Sequence, residues 1–202
     1  MRGGIKLEAV KATSRWNTVD LVYCGVFATL MMIGANITSF APFLTVGGVP
    51  ITFQTFFAVL AGLVLGKKRG AVACAVYMLI GLAGAPVFSK FTGGLSSVLS
   101  PTFGFIVSFI LCAYVAGWIV EKYQTKTSYL VGAIVATALN YLLGTNWLYA
   151  AYKVWASAPS GFTYEMAWLW MIPPMPKDAV LAVFGGVFAY RIQKILKILP
   201  IK

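Results

Sequence analysis

Asp178 has the strongest claim to chemistry in this chain. It follows Pro173, Pro174 and Pro176 and opens an apolar run. An ionisable group beside such a run marks a functional site by default. A carboxylate there can accept N–H groups from a bound molecule. At a helix start it can also cap exposed amides and suit the helix dipole. Gln54, one turn into another apolar run, offers both donors and an acceptor, either to a ligand or as an interhelical hydrogen bond. Asn140 poses the same choice in the middle of a third run, with Tyr141 and Trp147 close along it. Tyr141, Trp147, Phe88 and Tyr152 can wall a flat apolar ligand or anchor helices at a membrane surface. Trp168 and Trp170 read as interface belt. Lys90 and Lys177 can meet an anion, since charge-assisted hydrogen bonds are about twice as strong as neutral ones.

Bond-making chemistry has little to work with. The carboxylates are Glu8, Asp20, Glu121, Glu165 and Asp178, with no evident pairing, and the chain has no histidine. No Ser-x-x-Lys arrangement stands out. Cys24, Cys74 and Cys112 lie inside apolar runs without metal-ligand spacing. No catalytic residue, metal or cofactor is assigned. These residues suit reversible binding of a small molecule.

The elements that position them are membrane spans. The chain is 60% hydrophobic and 10% charged, against roughly 25% charged residues in a soluble domain. A helix needs about 20 apolar residues to cross a bilayer. The sequence predicts an all-α integral membrane protein of six transmembrane helices, near 19–40, 51–66, 71–88, 102–120, 129–155 and 178–193. The prolines in 168–176 make that stretch a re-entrant or capping segment. Residues 1–202 form a single membrane domain, with 1–18 as a polar cytoplasmic lead-in rather than a signal peptide.

Charge fixes the orientation. In a six-span arrangement every Lys and Arg except Lys90, Lys153 and Lys177 falls on one side. The positive-inside rule makes that side, with the N- and C-termini, cytoplasmic. The net charge of +11 therefore reports topology and contact with the lipid bilayer, not nucleic acid. The outward connections, including FSKFTGGLSSVLSP and 156–177, are Gly-, Ser- and Pro-rich, as adaptable binding loops are. Small residues four apart, Cys24 with Ala28 and Ala71 with Ala75, allow close helix approach, to a partner or within the bundle.

The run from Val49 to Gly70 resembles the biotin-specific S components of energy-coupling factor (ECF) vitamin transporters, the BioY family. The resemblance rests on Pro50-Ile51-Thr52-x-Gln54-Thr55-Phe56, Ala61-Gly62, Leu65-Gly66, Tyr77, Gly81, Pro86-Val87-Phe88, Gly93-Gly94-Leu95 and Pro101-Thr102. It covers 47–110 well, 1–46 mainly in hydropathy, and the last two helices through Tyr141, Gly144, Trp147-Leu148 and Asp178.

The resemblance implies a six-helix subunit in a prokaryotic cell membrane. It would capture biotin from outside and work with a transmembrane coupling subunit and two ATP-binding subunits. The chain has no Gly-x-x-x-x-Gly-Lys-[Ser/Thr] phosphate loop of its own. The candidate residues for a biotin site are Gln54, Phe88, Lys90, Asn140, Tyr141, Trp147, Lys177 and Asp178, and the docking face that the resemblance implies on helix 1 corresponds to Cys24 and Ala28. The family's Gly-Asp-x-x-Lys run reads Lys177-Asp178-Ala179-Val180-Leu181 here, and its Gly-Pro-Thr-Gly-Gly-Tyr turn reads Ser100-Pro101-Thr102-Phe103-Gly104-Phe105. The same architecture serving another vitamin is one alternative. A non-transporting membrane scaffold or membrane-embedded enzyme is another.

Overall fold

The computed structural model describes residues 16–37, 39, 45–46 and 48–196. The basic residues of the N-terminal lead-in and Lys197 and Lys202 lie outside the described residues. The chain is mostly helical. Its first helix, α1 (Thr18–Asn36), opens on a capping box. Asn17 Oδ1 accepts from the Asp20 amide at 2.8 Å, and Asp20 Oδ2 accepts from the Asn17 amide at 3.1 Å, so two orphan donors are satisfied reciprocally.

A two-residue antiparallel pair, β1 (Thr45–Val46) and β2 (Val49–Pro50), then leads into α2 (Gln54–Leu65). After Gly66 comes α3 (Lys67–Leu82), followed by 3-10 turns at Ser89–Phe91 and Leu95–Leu99. The long helices α4 (Phe103–Tyr123) and α5 (Lys126–Val154), a short α6 (Tyr164–Leu169) and α7 (Met175–Leu196) complete the chain.

Helix α2 sits at the centre and packs against α1, α3, α4, α5 and α7. Every residue from Ala58 to Leu65 is buried. A helix surrounded on all sides must be apolar all round, which explains why this run reads like a membrane span. At 12 residues it is only about 18 Å long, short of the ~30 Å hydrocarbon core. The helix within the expected 51–66 crossing is therefore shorter than a full span and is preceded by extended chain. Among the described residues, three helices, Thr18–Asn36, Phe103–Tyr123 and Lys126–Val154, are long and apolar enough to cross a membrane.

Other expected boundaries move for local reasons. Helix α3 takes in the basic cluster from Lys67 and stops at Leu82 rather than Phe88, because Gly84 turns at φ 108° and Pro86 follows. Helix α5 starts at Lys126 because Thr125 and Ser128 form a capping box. The proline-rich stretch is the short helix α6 and turns that run into α7 at Met175. Pro176 falls in the first turn of α7, where a missing N–H is harmless.

At one end of the bundle Lys67 pairs with Glu121 at 3.0 Å and Arg69 with the otherwise buried Asp20 at 2.9 Å. These ion pairs join the start of α1, the α2–α3 junction and the end of α4. The outer faces carry Val22, Val26, Leu111, Trp118, Val183 and Phe184, all exposed. An apolar exterior of this extent suits a hydrocarbon solvent rather than water.

Candidate functional site

The opposite end of the bundle holds a cavity of about 670 Å3. Its walls are the 48–52 approach to α2, the first turn of α2, the 84–102 segment, the start of α4, the middle of α5 and the approach to α7. Of the expected site residues, Gln54, Phe88, Lys90, Asn140, Tyr141 and Asp178 line it. Among the described lining residues Asp178 is the carboxylate and Lys90 the cation. Lys90 is exposed and Asp178 buried.

Asp178 does not act as a simple helix cap. Its Oδ2 accepts from the Tyr141 hydroxyl at 2.5 Å and its Oδ1 from Lys177 Nζ at 2.6 Å. Lys177 Nζ also donates to the Thr52 carbonyl and lies 5.1 Å over the Phe53 ring. Lys177 is not among the lining residues. It ties α7 to the start of α2 and neutralises Asp178 from behind. A carboxylate has about four acceptor sites; with Tyr141 and Lys177 engaged, roughly two stay available toward the cavity.

The two amides bridge helices as well as line the cavity. Gln54 Nε2 donates to the Tyr77 hydroxyl at 2.6 Å, Tyr77 donates to the Val87 carbonyl at 3.2 Å, and Thr52 donates to Gln54 Oε1 at 3.1 Å. Asn140 Nδ2 donates to Thr55 Oγ1 at 3.1 Å, and the Ser108 hydroxyl lies 2.7 Å from Asn140 Oδ1. Glue and lining are thus both roles of Gln54 and Asn140, and the Gln54 amide is fixed in orientation because Tyr77 gives its proton to the Val87 carbonyl.

The aromatic wall differs from expectation. Phe88 packs edge-on against Tyr77 at 5.6 Å and Phe103 at 6.4 Å. Phe103 and Phe105 line the cavity, while Trp147 stands behind Phe103 at 6.4 Å and contacts Trp155 at 6.0 Å. Gly104 lets Trp147 come this close, because a Cβ on residue 104 would overlap the indole. Tyr152 belongs to a separate aromatic cluster with Phe162 and Trp170.

The small-residue face of α1 turns inward. Cys24 is 3% exposed and Ala28 1%, and Cys24 Sγ donates to the Arg69 carbonyl at 3.4 Å. These two residues pack within the bundle; this corrects the expectation of a docking face through Cys24 and Ala28. Ala71 and Ala75 on α3 are half-buried. The exposed small pair on α1 is Gly25 and Thr29, and a Cβ at Gly25 would meet nothing within 4 Å.

Sequence reasoning placed Thr55, Phe103 and Phe105 in motifs without naming them as site residues, and gave no role to the hydroxyls of Ser96, Ser97 and Ser100; all six line the cavity. Hydroxyls in a Gly/Ser-rich connection carry no distinctive spacing. Thr55 meets Asn140 across 85 positions, which no local pattern reveals.

Comparison with known proteins bears on what this cavity holds. Residues 9–198 match the model of the BioY family. The BioYB protein of Bacillus subtilis (strain 168) is 47% identical over 177 residues, covering 87% of this chain and 88% of that protein. The biotin transporter BioY of Thermotoga maritima is 33% identical over 177 residues, covering 87% and 96% respectively. A solved structure, the S-component for biotin from an ECF-type ABC transporter, superposes with a TM-score of 0.71 at 21% identity, covering 87% of this chain and 91% of that one. That likeness establishes the shared fold.

Proposed function

The chain belongs to the BioY family, and from that premise we propose that it is the biotin-binding S component of an ECF-type uptake system. The family's role is transport, not catalysis. The observation that carries the reading for this chain is one cavity with a fixed carboxylate at its buried end and a cation near its exposed rim. Biotin is polar in the complementary sense. Its ureido N–H groups are donors suited to Asp178, its apolar ring suits the wall of Phe88, Phe103 and Tyr141, and its carboxylate suits Lys90. A volume of about 670 Å3 falls within the roughly 300–1,000 Å3 of small-molecule pockets.

The proposed topology has six crossings and both termini in the cytoplasm. It is supported by the position of Lys67, Lys68, Arg69, Lys122, Lys126 and Arg191 away from the cavity, whereas Lys90, Lys153 and Lys177 belong to the cavity end. The positive-inside rule then turns the cavity outward, in a prokaryotic cell membrane. Energy would come from two ATP-binding subunits through a transmembrane coupling subunit. The exposed pair Gly25 and Thr29 replaces Cys24 and Ala28 as the proposed place for close approach by that coupling helix.

Purified chain in lipid nanodiscs is expected to bind radiolabelled biotin saturably, at one molecule per chain. Absence of saturable binding would remove the reading. Gly25→Leu is expected to abolish biotin uptake in cells that supply the coupling and ATP-binding subunits while leaving binding by the purified chain unchanged. Full uptake by this variant would move the docking face elsewhere.

A further inference from the structure

The 87–92 segment of the cavity wall has an unusual backbone. Lys90 and Phe91 both stand in the left-handed region, at φ 61° and 55°. Side chains with a Cβ rarely adopt that region, and such residues persist where their surroundings over-determine them. The surroundings here converge on Asn36, in the last turn of α1 and 8% exposed. Its Oδ1 accepts from the Phe91 amide at 2.8 Å, and its Nδ2 donates to the Val87 carbonyl at 3.3 Å and to the Met32 carbonyl of its own helix at 3.2 Å. Ser39, whose hydroxyl donates to Asn36 Oδ1 at 3.4 Å, accepts from the Lys90 amide at 3.0 Å. Phe88 and Thr92 close the base of the turn, the Phe88 amide donating to the Thr92 carbonyl at 2.9 Å. One carboxamide thus holds the chain on both sides of Lys90.

We propose that Asn36 is a positioning residue for ligand recognition: by clamping Val87 and Phe91 to the end of α1 it fixes the left-handed turn that presents the Lys90 ammonium to the anionic end of the ligand. The chemistry demands an amide. The clamp needs an acceptor for one backbone N–H and a donor for one backbone carbonyl within a single short side chain. Alanine supplies neither, and an ionised aspartate supplies only the acceptor. The second half of the proposal rests on the reading that Lys90 meets the carboxylate of biotin.

The test uses the full chain in lipid nanodiscs as Asn36→Ala, Lys90→Ala and the double variant. Binding of biotin is compared with binding of biotinamide, which lacks the charge, and amide hydrogen exchange over 88–92 is followed in the ligand-free protein. Asn36→Ala is expected to speed exchange at the Lys90 and Phe91 amides. It should weaken biotin about 10-fold and biotinamide by less than ~2-fold, the loss expected for one charge-assisted hydrogen bond. In the Lys90→Ala background it should weaken biotin no further.

Equal losses on both ligands would make Asn36 a structural support and overturn the proposal, as would unchanged exchange. If Lys90→Ala treats biotin and biotinamide alike, the carboxylate reading of Lys90 falls and the recognition role of Asn36 falls with it. If the wild-type chain binds neither ligand, the biotin reading fails and hydrogen exchange alone decides whether the clamp exists. Should Asn36→Ala not fold, Ser39→Ala removes the acceptor of the Lys90 amide and one donor to Asn36 Oδ1, leaves the Asn36 bonds to Val87 and Phe91 in place, and is expected to move exchange and ligand discrimination in the same direction.

Discussion

Asp178→Asn is expected to weaken biotin binding by roughly 10- to 100-fold, since a hydrogen bond to a charged group contributes about 1.5–3 kcal/mol and about 1.4 kcal/mol is tenfold in affinity. The carboxylate is held by the Tyr141 hydroxyl at 2.5 Å and Lys177 Nζ at 2.6 Å. Both partners are donors. An asparagine there would turn its carbonyl to Lys177 and its NH2 group to the Tyr141 oxygen, reversing that hydrogen bond. The carbonyl so engaged is lost to the ligand, and the negative charge that strengthens the ureido contacts is lost as well.

Equilibrium titration with labelled biotin reads the loss. Circular dichroism and a monodisperse elution profile should stay as in the parent, because asparagine has nearly the shape and volume of aspartate and still reaches Tyr141 and Lys177. Tyr141→Phe removes one orienting donor and leaves the charge, so its effect should be several-fold smaller. Unchanged affinity in Asp178→Asn would return the residue to a role in anchoring α7.

Gly62→Val is expected to destabilise the protein by about 3 kcal/mol or more, at the upper end of over-packing penalties. Gly62 lies on α2 where α4 crosses it. A Cβ there would come within 2.8 Å of the Ala113 carbonyl carbon and closer still to its oxygen. The obstacle is backbone, which cannot rotate aside as a side chain can. The same glycine receives α3, because a Cβ on Gly70 would fall 2.6 Å from Gly62 Cα. The substitution therefore pushes directly on the α2–α4 crossing. Thermal unfolding in detergent, with the fraction surviving size exclusion, measures the effect. Gly25→Val, on the open face of α1, is the control and should unfold near the parent temperature. A Gly62→Val chain as stable as that control would mean the α2–α4 crossing can open.

Much of the fold was legible because hydropathy reports burial in apolar surroundings. Helices α1, α4 and α5 appear in sequence within a few residues of their ends. Hydropathy cannot distinguish lipid from protein as the apolar neighbour, so the run of α2 gave no sign that five helices enclose it. The β1–β2 pair left no signal, because two residues per strand show no alternation.

The site was legible where a polar residue interrupted an apolar run. Gln54, Asn140 and Asp178 line one cavity. Lys177 and Trp147 were close in sequence to the right places, yet one faces the back of Asp178 and the other the back of Phe103. Asn36 escaped notice because an asparagine at a helix end is ordinary. Its partner Phe91 lies 55 positions away, and only the folded chain sets them side by side.

The single residue between α2 and α3 has a mechanical consequence. Gly66, at φ 85°, joins the two helices with no slack. Gln54 and Tyr77 bolt them together at the far end by a 2.6 Å bond, and the Gly62–Gly70 contact braces them one turn from the joint. A joint, a brace and a tie make a triangle, and a triangle does not shear. The floor of the cavity and the basic corner some 12 residues of helix away must then tilt as one rigid lever. A displacement at Lys67–Arg69 is then expected to carry the floor of the cavity with it.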